Sequence, residues 1–142
     1  MFLIAGYYGF GNTGDEAILA AILNGLHARS PSSRAVVISG DPADTRRRHG
    51  VEAVPWRDVL AIDRAVKDSD LVIIGGGGLF QDHWGLDPDS LLTPDHYGIT
   101  FYAGPAILAS LHGKPLALPG LGFGPLASPD ARRLVRGVCE AS

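Results

Sequence analysis

Five short apolar runs, each ended by glycine or proline and each separated from the next by a helical pattern, constrain this chain most. They are Phe2–Ala5, Ala35–Ser39, Glu52–Pro55, Leu71–Ile74 and Pro115–Leu118. Leu71-Val-Ile-Ile74 is the clearest: mostly β-branched, continuous, and stopped by four glycines, Gly75 to Gly78. Between the runs, residues 15–29 carry an apolar stripe of Ile18, Leu19, Ile22, Leu23 and Leu26 at helical spacing. Residues 57–67 repeat the pattern with Val59, Leu60, Ile62 and Val66, and residues 45–49 allow a short helix. Residues 100–112 predict another helix, with Pro105 either opening or kinking it. Ser128-Pro129-Asp130 starts a last helix that runs to about Glu140. Strands alternating with helices imply a parallel sheet covered on both faces. The expected fold is therefore α/β, a doubly wound, mainly parallel Rossmann-like sheet of order 3-2-1-4-5, in one domain over residues 1–142.

Composition narrows the partners. Twelve basic against fifteen acidic side chains leave a net charge of -3, without the basic excess of a general nucleic-acid binder. The single cysteine, Cys139, excludes an internal disulfide framework and a multi-cysteine zinc site; packing is its expected role. No apolar run reaches the roughly 18 residues of a spanning helix, and the amino end has no basic leader region. The expectation is a soluble, cytoplasmic protein with no metal site. The 19 glycines and 10 prolines follow no collagen repeat but gather in a few loops.

Three of those loops follow strands one, four and five, which puts all three on the carboxyl rim where such sheets bind ligands. The first contains Gly9-Phe-Gly-Asn-Thr-Gly14, a literal G-x-G-x-x-G between strand and helix. As a dinucleotide fingerprint it has three faults. Tyr7 and Tyr8 lengthen the entry, and Asp15 and Glu16 stand where a pyrophosphate needs unopposed N–H groups. The ribose-binding acid expected about 20 residues on would be Asp41, 27 positions past Gly14. A tight turn with acidic helix capping, a nucleotide site and a site for another ligand all stay open. The second loop, Gly75 to Asp82, and the third, Pro119 to Pro125, leave backbone open to a ligand or to close packing.

The ordered set resembles the polysaccharide pyruvyl transferase family. The likeness lies in Gly6-Tyr-Tyr-Gly-Phe-Gly-Asn-Thr-Gly-Asp-Glu-Ala17, in residues 69–82 (SDLVIIGGGGLFQD), and in Tyr102 through Gly113-Lys-Pro115 to Gly122-Phe-Gly-Pro125. It implies a GT-B architecture of two facing Rossmann-like domains, of which this chain is the N-terminal half, the second domain being absent. It further implies transfer of the enolpyruvyl unit of phosphoenolpyruvate, with no cofactor, onto a lipid-linked sugar of a cell-surface polysaccharide precursor to form a ketal. By the family's G-N-x-G-D pattern, Asp15 is the candidate base or acceptor-hydroxyl ligand. Gly9, Gly11, Asn12, Gly14, Gly76, Gly77, Gly78, Asp82, His83, Gly122 and Gly124 are the candidate substrate contacts. The cations that hold the donor are expected mainly in the second domain, so the chain alone is expected to be inactive. A nucleotide-binding Rossmann module and half of a GT-B glycosyltransferase are the alternatives.

Further expectations are local. The helix N-terminus should lower the pKa of Asp15. His96 and Tyr97 are weaker candidates for stacking on a sugar, and the basic run Arg46 to His49 for pairing with a diphosphate. Arg132, Arg133 and Arg136 read as a solvated helix face. Leu79, Phe80 and Phe123 should form an exposed apolar patch through which the glycine rim self-associates into a homo-oligomer.

Overall fold

The computed structural model describes residues 1–142. Its elements in chain order are β1 (Phe2–Ala5), α1 (Thr13–Arg29), β2 (Ala35–Ser39), α2 (Pro42–His49), β3 (Glu52–Pro55), α3 (Val59–Asp68), β4 (Leu71–Ile74), β5 (Gly77–Phe80), α4 (Ile99–Leu111), β6 (Leu116–Ala117), β7 (Leu121–Phe123) and α5 (Pro129–Glu140). A 3-10 turn, Pro88–Ser90, interrupts the long loop before α4. Five strands make a parallel sheet in the order β3-β2-β1-β4-β6. Leu3 of β1 stands between Val36 of β2 and Val72 of β4. The expected order holds, with β6 in the fifth place.

The period-two alternation of the strands sorts the core onto two faces. Leu3, Val36, Ile38, Val72 and Ile74 pack with Ile62 and Val66 of α3, Phe101 and Ala106 of α4, and Val135 of α5. Ile4 and Val37 face the other way, onto Tyr8 and Leu19 of α1. Helix α4 touches both α3 and α5 and is buried along most of its length. Pro105 lies inside it, which excludes the opening position.

Side-chain caps set the helix starts. Asn12 caps α1, which begins at Thr13 and not Asp15. Asp41 caps α2 and draws its start back to Pro42 from the expected residue 45. Asp58 caps α3, so that helix begins at Val59, two residues later than expected.

The second and third glycine loops are more regular than expected. They contain β5 and β7, which pair in parallel as a separate two-stranded sheet. Glycine permits the approach: a Cβ on Gly122 would lie 3.2 Å from the Cα of Gly78 and 3.3 Å from the carbonyl oxygen of Gly77. Leu79 and Phe80 of β5 are buried in the main core; of the expected apolar patch only Phe123 is half exposed.

Two glycine substitutions should move stability in opposite directions. Gly9 has φ +76°, and a Cβ there would fall 2.1 Å from Ser39 Oγ and 2.6 Å from the backbone nitrogen of Asp41. Gly9→Ala should destabilise by roughly 2 kcal/mol or more, from overpacking and backbone strain together. Gly137, inside α5, has open space beside it. Gly137→Ala should stabilise by about 0.5–1 kcal/mol. Denaturant titration of both variants measures the contrast.

Candidate functional site at the carboxyl rim

The first glycine loop is held from three sides. The buried Tyr8 donates its hydroxyl to the carbonyl of Gly75 at the end of β4. The Gly40 amide, just past β2, donates to the carbonyl of Tyr8 at 2.9 Å. The Gly9 amide donates to Glu16 Oε1 at 2.8 Å. Glu16 Oε2 in turn accepts from His49 Nε2–H at 2.7 Å, and both side chains are about nine-tenths buried. Glu16 thus ties the loop to the end of α2.

The loop then turns into α1. Asn12 Oδ1 accepts from the amides of Gly14 at 2.9 Å and Asp15 at 3.3 Å. These are the donors that a diphosphate would need at this helix end, and the side chain of Asn12 already takes them. Asp15 follows in the first turn, partly buried. A Cβ on Gly77 would sit 3.3 Å from Asp15 Oδ1, so the carboxylate overlies the second glycine loop. Gly76 lies under Ile18 of α1, and its amide reaches the Pro119 carbonyl at 3.4 Å. The three glycine loops therefore converge on one rim, as the strand order required.

A cavity of about 450 Å³ opens there, lined by Tyr7, Asn12, Asp15, Gly78, Leu79, Gln81, Trp84, Gly98 and Tyr102. Asp15 is its one carboxylate, and no lysine, arginine or histidine lines it. Burial, then the neighbouring Glu16 carboxylate, raises the pKa of Asp15 above the ordinary carboxylate range. The expected lowering by the helix end is overturned: partial desolvation and a like charge outweigh it. Burial chiefly, with Tyr7 and Asp15 adding to it, also pushes the Tyr102 phenol upward, so it stays protonated and can donate.

Of the other residues expected at the site, Gly78 and Asn12 line the cavity. Gly9 is sealed against Ser39 and Asp41, while Gly11 and Gly14 stand exposed on the loop. Asp82 is engaged by backbone: Oδ2 accepts from the Ser128 amide at 2.7 Å and Oδ1 from the Ala127 amide at 3.0 Å. These bonds hold its carboxyl below the usual range and fix the approach to α5. His83 is exposed beside it and does not line the cavity. Gly122 packs on β5, and the Gly124 amide bonds to the Phe80 carbonyl at 2.7 Å.

The lesser candidates fall away for stated reasons. His96 is buried, stacks on Phe101, and donates Nε2–H to the Trp56 carbonyl at 2.7 Å. Burial lowers its pKa, so it stays neutral and faces the protein rather than a sugar. Tyr97 is partly exposed and lies outside the cavity lining. The basic run is occupied internally: Arg46 donates to the Ala53 carbonyl, Arg47 and Arg48 pair with Asp44, and His49 holds Glu16. Cys139 is exposed, contrary to the packing role expected of it. Arg132, Arg133 and Arg136 are exposed on α5 as expected.

Tyr7, Gln81, Trp84 and the bracing role of Glu16 are additions that sequence reasoning missed. Tyr7 and Gln81 stood in the quoted loops, but only the fold shows which way they face. No cluster of three His, Cys, Asp or Glu side chains is placed to hold a metal ion. No helix is long and apolar enough to cross a membrane.

A family model for polysaccharide pyruvyl transferase matches residues 12–141. No curated protein matches the chain.

The cap and the rim carboxylate should separate on substitution. Asn12→Ala removes the acceptor for two amides and should cost about 1 kcal/mol. Asp15→Asn relieves an unfavourable charge. A raised folded-state pKa means that ionisation opposes folding as pH rises through the window above the unfolded value. Thermal melts at neutral pH should therefore show a lowered Tm for Asn12→Ala and an unchanged or raised Tm for Asp15→Asn.

Proposed function

Because the chain belongs to the polysaccharide pyruvyl transferase family, we propose that it forms the acceptor side of an enzyme that moves the enolpyruvyl unit of phosphoenolpyruvate onto a polysaccharide sugar as a cyclic ketal. The charge of the rim cavity carries this reading. Phosphoenolpyruvate bears a carboxylate and a phosphate, and burying either without a cation is costly. The cavity offers one carboxylate and no cation. A neutral, hydroxyl-rich sugar suits such a lining, with Asp15 as acceptor and the amides of Asn12 and Gln81 and the phenol of Tyr102 as polar partners. The donor's cations then belong to the face of a second domain across the rim.

In the reaction, a proton goes to the methylene carbon of the donor, and one sugar hydroxyl adds to the adjacent carbon. Phosphate leaves, and a second hydroxyl closes on the same carbon. Of the two hydroxyl protons, one balances the new methyl group and the other departs with phosphate. Asp15 would hold an attacking hydroxyl by a charge-assisted hydrogen bond and take its proton. A carboxylate of raised pKa is the better acceptor for that proton.

The test has two parts. The 142-residue chain alone should release no phosphate from phosphoenolpyruvate with or without sugar; acceptor-dependent release by it would overturn the acceptor-side assignment. In the enzyme with both domains, Asp15→Asn should slow turnover on the order of 10²–10⁴-fold with the fold unchanged. Wild-type turnover would remove Asp15 from the chemistry.

The pH profile of kcat/KM adds an independent check. Its acid limb should lie above the ordinary aspartate value of about 3.9. In Glu16→Gln, which keeps an oxygen for the Gly9 amide but removes the like charge, that limb should move to lower pH.

A further inference from the structure

Tyr7 is a large aromatic residue that is 40% exposed, and it lines the same cavity as Asp15. Its ring is not loose. It stacks on Phe10 with centroids 4.4 Å apart and planes 11° from parallel. Phe10 in turn meets Trp56 nearly at right angles, with centroids 5.3 Å apart. Behind it lies Gly40, where a Cβ would fall 2.6 Å from the Phe10 ring. The Tyr7 ring in the cavity lining is therefore backed by two further rings and a glycine. A surface fixed in advance loses little side-chain freedom when a ligand covers it.

We propose that Tyr7 is the platform on which the acceptor's sugar ring lies, and that the cavity selects neutral sugars over acidic ones. The inference rests on the acceptor-side reading given above. A pyranose has a face of C–H groups and an edge of hydroxyls. Laid on Tyr7, its apolar face leaves water while its edge meets polar groups of the lining, Asp15 among them. The selection follows from charge. A uronic acid would bring a second carboxylate into a cavity that has Asp15 and no cation to offset it.

Saturation-transfer NMR on the 142-residue protein tests this with methyl glycopyranosides of glucose, galactose and mannose and the methyl glucuronide and galacturonide. At least one neutral glycoside should receive saturation mainly on the protons of one ring face. Tyr7→Ala should weaken its binding on the order of tenfold, as expected for losing about 60 Å² of apolar contact. Tyr7→Phe should stay within about twofold. The uronides should bind at least about tenfold more weakly, and Asp15→Asn should recover most of that loss. Should Tyr7→Ala fail to give a folded amide spectrum, Tyr7→Leu keeps the bulk without the flat face and should weaken binding comparably.

Binding unchanged in folded Tyr7→Ala or Tyr7→Leu, or uronides bound as tightly as neutral glycosides, would overturn the proposal. Silence from every glycoside would overturn it and the acceptor-side reading together. Tyr7-dependent sugar binding by a two-domain enzyme that never consumes phosphoenolpyruvate would sink the transferase reading and leave the platform standing.

Discussion

One buried carboxylate organises the rim. Glu16 takes the Gly9 amide on one oxygen and His49 on the other, nearly out of contact with water. A buried charge of this kind is tolerated only because both oxygens are satisfied. By joining the first loop to α2, it fixes where the loop turns into α1 and hence where Asp15 stands. The same charge lies next to Asp15 in sequence and helps to keep that carboxyl above its ordinary pKa. The group that braces the loop thus also shapes the electrostatics of its neighbour.

The glycines of the other two loops do a different job. Gly76 accommodates Ile18, Gly77 lies beneath the Asp15 carboxylate, and Gly122 lets β7 approach β5. A side chain at Gly76 would clash with Ile18, and one at Gly77 or Gly122 would force its neighbours to shift. In the small second sheet, Leu79 and Phe80 point into the main core, and Phe80 stacks on the half-exposed Phe123. Close packing against a neighbouring side chain or backbone accounts for Gly75, Gly76 and Gly122, whereas Gly120 has open space beside it.

What the rim lacks is as telling as what it holds. The basic run from Arg46 to His49 is committed elsewhere: Arg46 to a backbone carbonyl, Arg47 and Arg48 to Asp44, His49 to Glu16. A cavity with aromatic walls, amides and a single carboxylate is chemically suited to a polyol and unsuited to a phosphorylated acid. On the proposed acceptor-side reading, that asymmetry would be the physical reason for the two substrates to be held on different faces.

The sequence by itself determined the parallel sheet, its strand order and the gathering of three glycine loops on one rim. Alternating β-branched runs and helical stripes are local signals, and right-handed crossovers leave few arrangements for them. Helix starts were less legible, because a cap such as Asn12 or Asp41 is recognised only when its side chain reaches back to a particular amide. A motif singled out Asp15, but its environment was not legible. That the pKa of Asp15 rises, that Asp82 serves the Ala127 and Ser128 amides, and that Tyr7 lies flat on Phe10 in the cavity wall were decided by tertiary structure alone. Each depends on groups far apart in the chain or on the direction a side chain takes. Burial and proximity arise only once the sheet has brought its loops together.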